Sequence, residues 1–586
     1  VTGPPGSVKL GAVQEVVLPS APARLRRFTL STLKARARAA APTPGEAFAA
    51  LASAFLLVLA FPDFGIWPLA WVALVPLLSV VARRPRAPQA FLSGWLWGTL
   101  FFYGSCYWLT YPMIHYAGLP AWVAYPLFLP APLVAGLFPA LFALVLSRAC
   151  SRWGRPALLL APFAWASFEW ARLGVIGQLW NAVGYSQAYV PELIQGARYG
   201  GVYLVGFLIV AVNAALAYAL LARTPRAALT SLGVVALVAL ALAAFDAAPS
   251  PGEGAEPRAL VVALQPNVIP DFNRPPAEHF ALTDRHFEMS EEALLALGGT
   301  RGEAAPGPEA SSVPEAAGET EAETEAAPGS SSATGASLPR VVIWPESPMN
   351  FSWGRNRAFR ERVTDFTQRT GASLLFNSLE PTREGGGFNA AVLVDRRGRP
   401  AAQYDKIRLL PFGEYVPLPS WMPGANFIRG VVGDFTPGTR YALMPLGEGP
   451  GAPGAGVFIC IESAYPDISR AFARAGADVL VNITNDAYQG DTAVMRQHLA
   501  NTVFRAVETG RPLLRVTNTG ITARVTPRGE VLDATDKFVT ASRAWAVSKA
   551  EGGQTFYTRR GDLFVVACAA LTVLLLALTA RGRRKF

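Results

Sequence analysis

The sequence predicts a layered α/β domain carried on a bundle of membrane-spanning helices. Three observations predict it. Charged residues make up only 16% of the chain against 51% hydrophobic ones, whereas a soluble domain carries about 25% charge. The deficit is confined to residues 46–245 and to one last apolar run, and the block between them reads as an ordinary globular domain. Within that block, β-like runs alternate with amphipathic runs, which is the rhythm of layered α/β structure. Three segments carry a reactive side chain at the end of such a run: VVIWPE at Glu346, YDKIRLLPFGEY with Lys406, and GVFICIES with Cys460.

The membrane elements come first in the chain. A membrane helix needs about 20 mostly apolar residues. Spans are expected near 46–61, 64–82, 90–110, 119–147, 157–173, 200–222 and 227–245, with an eighth at 562–580. Lys and Arg mark cytoplasmic loops. Arg83, Arg84 and Arg86 follow the second span, Arg148, Arg152 and Arg155 the fourth, and Arg223 and Arg226 the sixth. The arm at 1–45 and the tail at 581–586 are basic, while the loops near 61–64 and 111–118 carry neither Lys nor Arg. This alternation predicts both termini in the cytoplasm and the block at 246–561 outside. An uncleaved helical hairpin is expected at the start of the bundle in preference to a signal peptide. The net charge of +10 is the sum of these anchors, not a basic face of the kind that binds nucleic acid.

Few ionisable groups lie in the spans. Glu169 and Arg172 are three residues apart and are expected to pair on one helix face. His115 is expected at an exposed outer edge. Of the four cysteines, Cys106, Cys150 and Cys568 fall in or beside spans and read as packing residues, so the outer domain has no partner for a disulfide at Cys460.

In the outer block, 259–269 is a strand and 279–297 a helix. Residues 300–338, rich in Gly, Ala, Glu, Pro and Ser, form a low-complexity insertion expected to be disordered. RVVIWPE is a strand, and RAFRERVTDFTQRTG is a helix stopped by Gly371. Residues 372–380 and 389–406 are strands, the latter with a turn at Arg-Arg-Gly-Arg. GVFICIE is a strand before the helix AYPDISRAFARAGA. DVLVNITND and MRQHLANTVFRAVETG repeat the pattern, and 512–532 reads as a hairpin.

The three reactive groups fit acyl transfer through a thioester. A thiol with a pKa of about 8.5 is only a few per cent ionised at neutral pH and needs a base or a cation beside it. A partly desolvated carboxylate such as Glu346 is a stronger base. An ammonium such as Lys406 stabilises a tetrahedral oxyanion. Each segment alone also fits a bland role: a buried thiol, a turn-capping glutamate, a solvated lysine.

Glu, Lys and Cys in this order, with Trp-Pro-Glu, Pro-Phe-Gly-Glu after the lysine and Asn-Asp-Ala at 485–487, resemble the nitrilase superfamily. With the spans, and with FPDFGIWPLA (61–70), LWNAVGYSQ (179–187), PFGEYVPL (411–418) and RPLLRVTNTGITA (511–523), the chain is similar to the apolipoprotein N-acyltransferase family from about 46 to 580. The resemblance implies an αββα sandwich on an eight-helix transmembrane domain in a bacterial inner membrane, its catalytic domain periplasmic. It implies Glu346 as general base, Lys406 as oxyanion stabiliser and Cys460 as nucleophile. Glu414, Ile461 and Glu462 would order the site or serve the oxyanion. Ile461 and Tyr488 stand where the best-known members have tyrosine and tryptophan, which bears on pocket shape. Trp344 and Tyr488 are candidate pocket residues, and Trp421, Phe427 and Ile428 lie in an apolar, Gly-rich loop (418–435) expected to act as a lid. The implied reaction passes an acyl chain from a membrane phospholipid, through a thioacyl-cysteine, to the α-amino group of a diacylglyceryl-cysteine on an apolipoprotein. No cofactor or metal is expected. Two other readings compete: a membrane-tethered amidase that passes the acyl group to water, and a non-enzymatic receptor or transporter with a degenerate domain.

Overall fold

The computed structural model describes residues 2–3, 41–83, 86–177, 179–271, 274–299, 338–347, 349–382, 386–417, 419, 421–422 and 435–581. Most of the basic arm and tail, Arg84, the insertion at 300–337, and Phe427 and Ile428 of the expected lid lie outside the described residues.

Helical segments occupy each expected span. The first, Pro44–Ala60, opens on a capping box in which Thr43 and Glu46 exchange hydrogen bonds. A segment at 67–83 follows in short pieces, then Ala87–Ser105, a run at 121–153, Ala161–Ile176, Ala197–Ala222, Pro225–Ala247 and Leu563–Arg581. By length and composition, 121–153, Ala197–Ala222 and Pro225–Ala247 are apolar enough to cross a membrane. The Pro225–Ala247 helix leaves large apolar side chains in the open, Leu229 at 72% and Leu237 at 66% exposure. A face of this kind fits contact with lipid rather than water.

The block at 246–561 contains two six-stranded mixed sheets. The first runs β12-β1-β2-β3-β4-β5, with β1 Gly252–Gln265, β2 Arg340–Ile343, β3 Ser373–Pro381, β4 Gly387–Val394, β5 Pro400–Asp405 and β12 Ala541–Glu551. The second runs β11-β10-β9-β8-β7-β6, with β6 Leu443–Pro445, β7 Gly454–Ile459, β8 Val479–Thr484, β9 Leu513–Thr517, β10 Ala523–Val525 and β11 Val531–Leu532. The parallel strands β7, β8 and β9 are buried along almost all of their length, which explains their largely apolar runs.

Alternate residues of the first sheet face opposite ways, as the period of a strand requires. Val341 and Ile343 join the core that includes Val457 and Val481 of the second sheet. Val342 and Trp344 face an outer core with Phe287 and Phe366, from the helices Pro276–Gly299 and Arg357–Thr370. Pro466–Arg474 and Val494–Thr509 pack on the second sheet. The layers are therefore α, β, β, α. Asn356 caps the start of Arg357–Thr370, and Gly371 ends it at φ 66°, a left-handed conformation that glycine adopts without strain. The strand β12 was not expected: it pairs antiparallel with β1 at the sheet edge.

Candidate active site

Glu346 lies three residues past the end of β2, Lys406 one past β5, and Cys460 one past β7. Each is thus held by a strand end. Lys406 is 1% exposed, a costly place for an ammonium without partners. It has two: Nζ lies 2.8 Å from Glu414 Oε1 and 3.5 Å from Glu346 Oε1. Burial alone would depress the Lys406 pKa, but the Glu414 and Glu346 carboxylates outweigh it and raise the value, so the group stays charged.

The two carboxylates are themselves bridged. Asn389, at the start of β4, donates through Nδ2 to Glu346 Oε1 (3.0 Å) and Glu414 Oε1 (2.6 Å). Its Oδ1 accepts from Asn377 Nδ2 at 2.6 Å, and Asn377 Oδ1 accepts the N–H of Ser347, next to Glu346. Glu346 Oε2 accepts the backbone N–H of Asn485 (3.1 Å), and Glu414 Oε2 that of Leu410 (2.7 Å). The bonds that end on the two carboxylates are of the charge-assisted, stronger class.

Cys460 is partly buried and a free thiol. Burial and the Glu346 charge push its pKa above the ordinary thiol value, while Lys406 opposes them. The thiol therefore needs a base to react at neutral pH. Its backbone is left-handed at φ 51°, a conformation that costs a non-glycine residue about 1–3 kcal/mol. The surroundings hold it there. The Cys460 carbonyl accepts from His498 Nε2 (3.0 Å) and Asn482 Nδ2 (3.4 Å). Two residues on, Glu462 is 1% exposed. Its carboxylate accepts the N–H groups of Ile459, Ile407 and Arg408 and the hydroxyl of Tyr404, all at 2.8–3.0 Å. Glu462 thus ties the cysteine turn on one sheet to the residues that follow Lys406 on the other. Ile461, between them, is buried.

Behind the cysteine lies a buried charged cluster. Asp486 binds His498 Nδ1 (2.8 Å) and Arg515 (2.5 Å), and Arg515 also donates to Asn482 Oδ1 (2.8 Å). Burial raises the Asp486 pKa, but the His498 and Arg515 charges prevail and hold it at about 2.

The structure thus brings Glu346, Lys406, Glu414, Cys460 and Glu462 into one connected region. Tyr488 lies on the turn after Asn485, its ring 6.0 Å from that of Tyr116 in the apolar half. Trp344 is different. It was expected to line a pocket, but strand alternation turns it into the outer core, where it is 1% exposed and donates to Ser290. Trp421 is 79% exposed. Glu169 and Arg172 feel each other's charge but make no ion pair within 4 Å: Glu169 accepts the N–H of Val183 (2.8 Å), and Arg172 donates to the carbonyl of Trp180 (2.9 Å). Both hold the backbone of 180–183, because a loop folded over the helix offers each a closer partner. His115 is exposed and stacks on Tyr111.

Sequence reasoning missed Asn377, Asn389, Asn482, His498 and Arg515. A signal existed: Asn482 and Arg515 interrupt apolar strands in VLVNIT and LLRVT, and a buried polar group must find a partner.

Two family models match the chain: the apolipoprotein N-acyltransferase N-terminal domain over residues 53–215 and carbon-nitrogen hydrolase over residues 340–543. An apolipoprotein N-acyltransferase of Geobacter metallireducens is 32% identical over 91% of this chain and 95% of its own length. One from Sinorhizobium medicae is 32% identical over 83% of this chain and 86% of its own. Among solved structures, an amidase from Nesterenkonia sp. is 15% identical, covers 54% of this chain and 97% of its own, and has a TM-score of 0.34. With both family models matched and a relative 32% identical along nearly its whole length, the chain belongs to the apolipoprotein N-acyltransferase family.

Proposed function

We propose that the protein N-acylates lipoproteins by a two-stage transfer in which Cys460 carries the acyl group. Glu346 takes the thiol proton as Cys460 attacks an ester carbonyl of a membrane phospholipid. Lys406, with the N–H of Ile461, stabilises the tetrahedral oxyanion. The lysophospholipid leaves, its oxygen protonated from Glu346, and a thioester remains. The free α-amino group of a diacylglyceryl-cysteine then attacks, Glu346 takes its proton, and the thiolate leaves as the amide forms. Glu414 and Glu462 order the site. The observation that carries this reading is the Lys406 ammonium, buried between two carboxylates and tied through Glu462 to the turn that bears the thiol.

The apolar half has a physical reason in this scheme. Drawing an acyl chain into water costs about 0.8 kcal/mol per CH₂, so a thiol that meets two lipid-anchored substrates belongs at the bilayer surface. The contacts between the halves support that placement: Tyr116 donates to the carbonyl of Ala487 and Tyr465 to that of Gly177. We take 46–245 as seven spans and 562–580 as the eighth, with 246–561 on the periplasmic face of a bacterial inner membrane. The arm at 1–45 and the tail at 581–586 then lie in the cytoplasm. Trp421 would dip into lipid, and Tyr488 would shape the substrate pocket.

The test is to incubate the purified protein with phospholipid and a diacylglyceryl-cysteine peptide and weigh the peptide by mass spectrometry. N-acylated peptide is expected. Fatty acid released without N-acylation would favour the amidase-like hydrolase instead.

A further inference from the structure

We propose that His498 is a positioning residue for Cys460 and that Gln497 makes that positioning depend on the apolar half of the molecule. The inference rests on the reading of Cys460 as nucleophile. The two residues are neighbours on the Val494–Thr509 helix, each 3% exposed. Successive helix positions point about 100° apart, so the pair faces two different surroundings.

His498 faces the cysteine. Its Nδ1 lies 2.8 Å from the Asp486 carboxylate and its Nε2 3.0 Å from the Cys460 carbonyl. The ring thus spans from the Asp486 carboxylate to the Cys460 carbonyl, one nitrogen facing each. Arg515 and Thr484 hold Asp486 in turn. The one carbonyl so anchored belongs to the residue at φ 51°, and its orientation sets where the thiol points.

Gln497 faces the apolar half. Its Oε1 accepts the indole N–H groups of Trp108 (3.1 Å) and Trp180 (2.9 Å), with Asn181 Nδ2 at 3.5 Å. Its Nε2 donates to the carbonyls of Pro62 and Ser105, each at 2.9 Å. One buried amide, with both its donor hydrogens used, therefore binds segments that follow or end three apolar helices. The Trp180 ring also lies 5.5 Å from that of His498. Further along the same helix, Glu508 accepts the N–H of Val202 at a kink in Ala197–Ala222. A shift of those helix ends moves the helix that holds the nucleophile. A misplacement of about 1 Å can cost a reaction about 100-fold.

The test compares His498→Gln with His498→Asn in full-length protein in phospholipid micelles, reading the rate of acyl-enzyme formation on Cys460. A Gln amide nitrogen reaches the place of Nε2 and keeps the bond to the carbonyl. An Asn nitrogen reaches only the place of Nδ1 and loses it. His498→Gln is expected within about 5-fold of the parent, and His498→Asn slower by about 10-fold to 100-fold, with KM for phospholipid unchanged and like thermal midpoints for the two variants, since each gives up one bond of the ring. Trp180→Phe, which keeps the ring and drops one bond to Gln497, is expected to slow acylation by about 3-fold to 10-fold. Equal rates for the two His498 variants, or a Trp180→Phe rate equal to the parent's, would overturn the proposal. A parent protein that forms no acyl-enzyme would overturn the nucleophile reading itself, and this one with it.

Discussion

Lys406 and Glu414 form the closer ion pair of the site, at 2.8 Å, against 3.5 Å from Lys406 to Glu346. The ammonium is thus anchored by the carboxylate that is not the proposed base. Glu346 is left more loosely paired, free to exchange a proton with the thiol. Glu346→Gln keeps an acceptor for Asn389, removes the base and gives up the bond from the Asn485 N–H. Its fold should survive with a modestly lower thermal midpoint, while acyl-enzyme formation disappears.

Glu414→Gln does the reverse. It strips a buried ammonium of its nearer counter-charge, and breaking a buried pair costs about 3–5 kcal/mol. A clear drop in thermal midpoint in detergent is expected, together with slower acylation. A Glu414→Gln protein as stable as the parent would contradict the pairing described here.

Asn389 holds both carboxylates with one amide. Hydrogen bonds to charged groups are worth about 1.5–3 kcal/mol each. Asn389→Ala should therefore lower kcat/KM by about 10-fold to 100-fold, and Asn389→Asp, which adds a third carboxylate, should lower it further. Steady-state kinetics with a phospholipid donor decide the order of the two.

Glu462 accepts from four donors and offers none. In Glu462→Gln the amide N–H₂ must face at least one of them, leaving buried donors unpaired at about 1–3 kcal/mol apiece. The variant should unfold at lower temperature and lose the register between Lys406 and Cys460. Limited proteolysis near 406–410 would report that loosening.

Burial and then the Glu346 charge raise the Cys460 pKa. Alkylation of the thiol by iodoacetamide should accordingly be slow at neutral pH and keep rising above the pH where an ordinary cysteine, with a pKa of about 8.5, has levelled off. Glu346→Gln removes a charge that raises the value, so its alkylation profile should move to lower pH. A shift to higher pH would mean that Glu346 is not the charge the thiol feels.

Much of this was legible because the signals were long or chemically loud. Apolar runs of membrane length placed the helices, and the strands carrying Glu346, Lys406 and Cys460 were visible as apolar runs between turns. What was hidden depended on tertiary partners. Strand β12 mixes Ser, Arg, Ala and Lys, and only its pairing with β1 makes it a strand. Trp344 looked like a pocket residue beside Glu346, yet one step along a strand turns a side chain to the other face. Asn389 and His498 gave no local sign of their role, since their partners lie 43 and 38 residues away along the chain.

The central claim is that Cys460 carries the acyl chain from one lipid to another. The direct measurement is a pulse and chase: the protein is loaded with labelled phospholipid, freed of excess lipid, digested, and the Cys460 peptide weighed before and after addition of a diacylglyceryl-cysteine peptide. A hydroxylamine-sensitive acyl mass on Cys460 that moves to the α-amino group of the added peptide is predicted. An N-acylated product formed with no acyl mass ever found on Cys460, or by Cys460→Ala at the parent rate, would contradict the account.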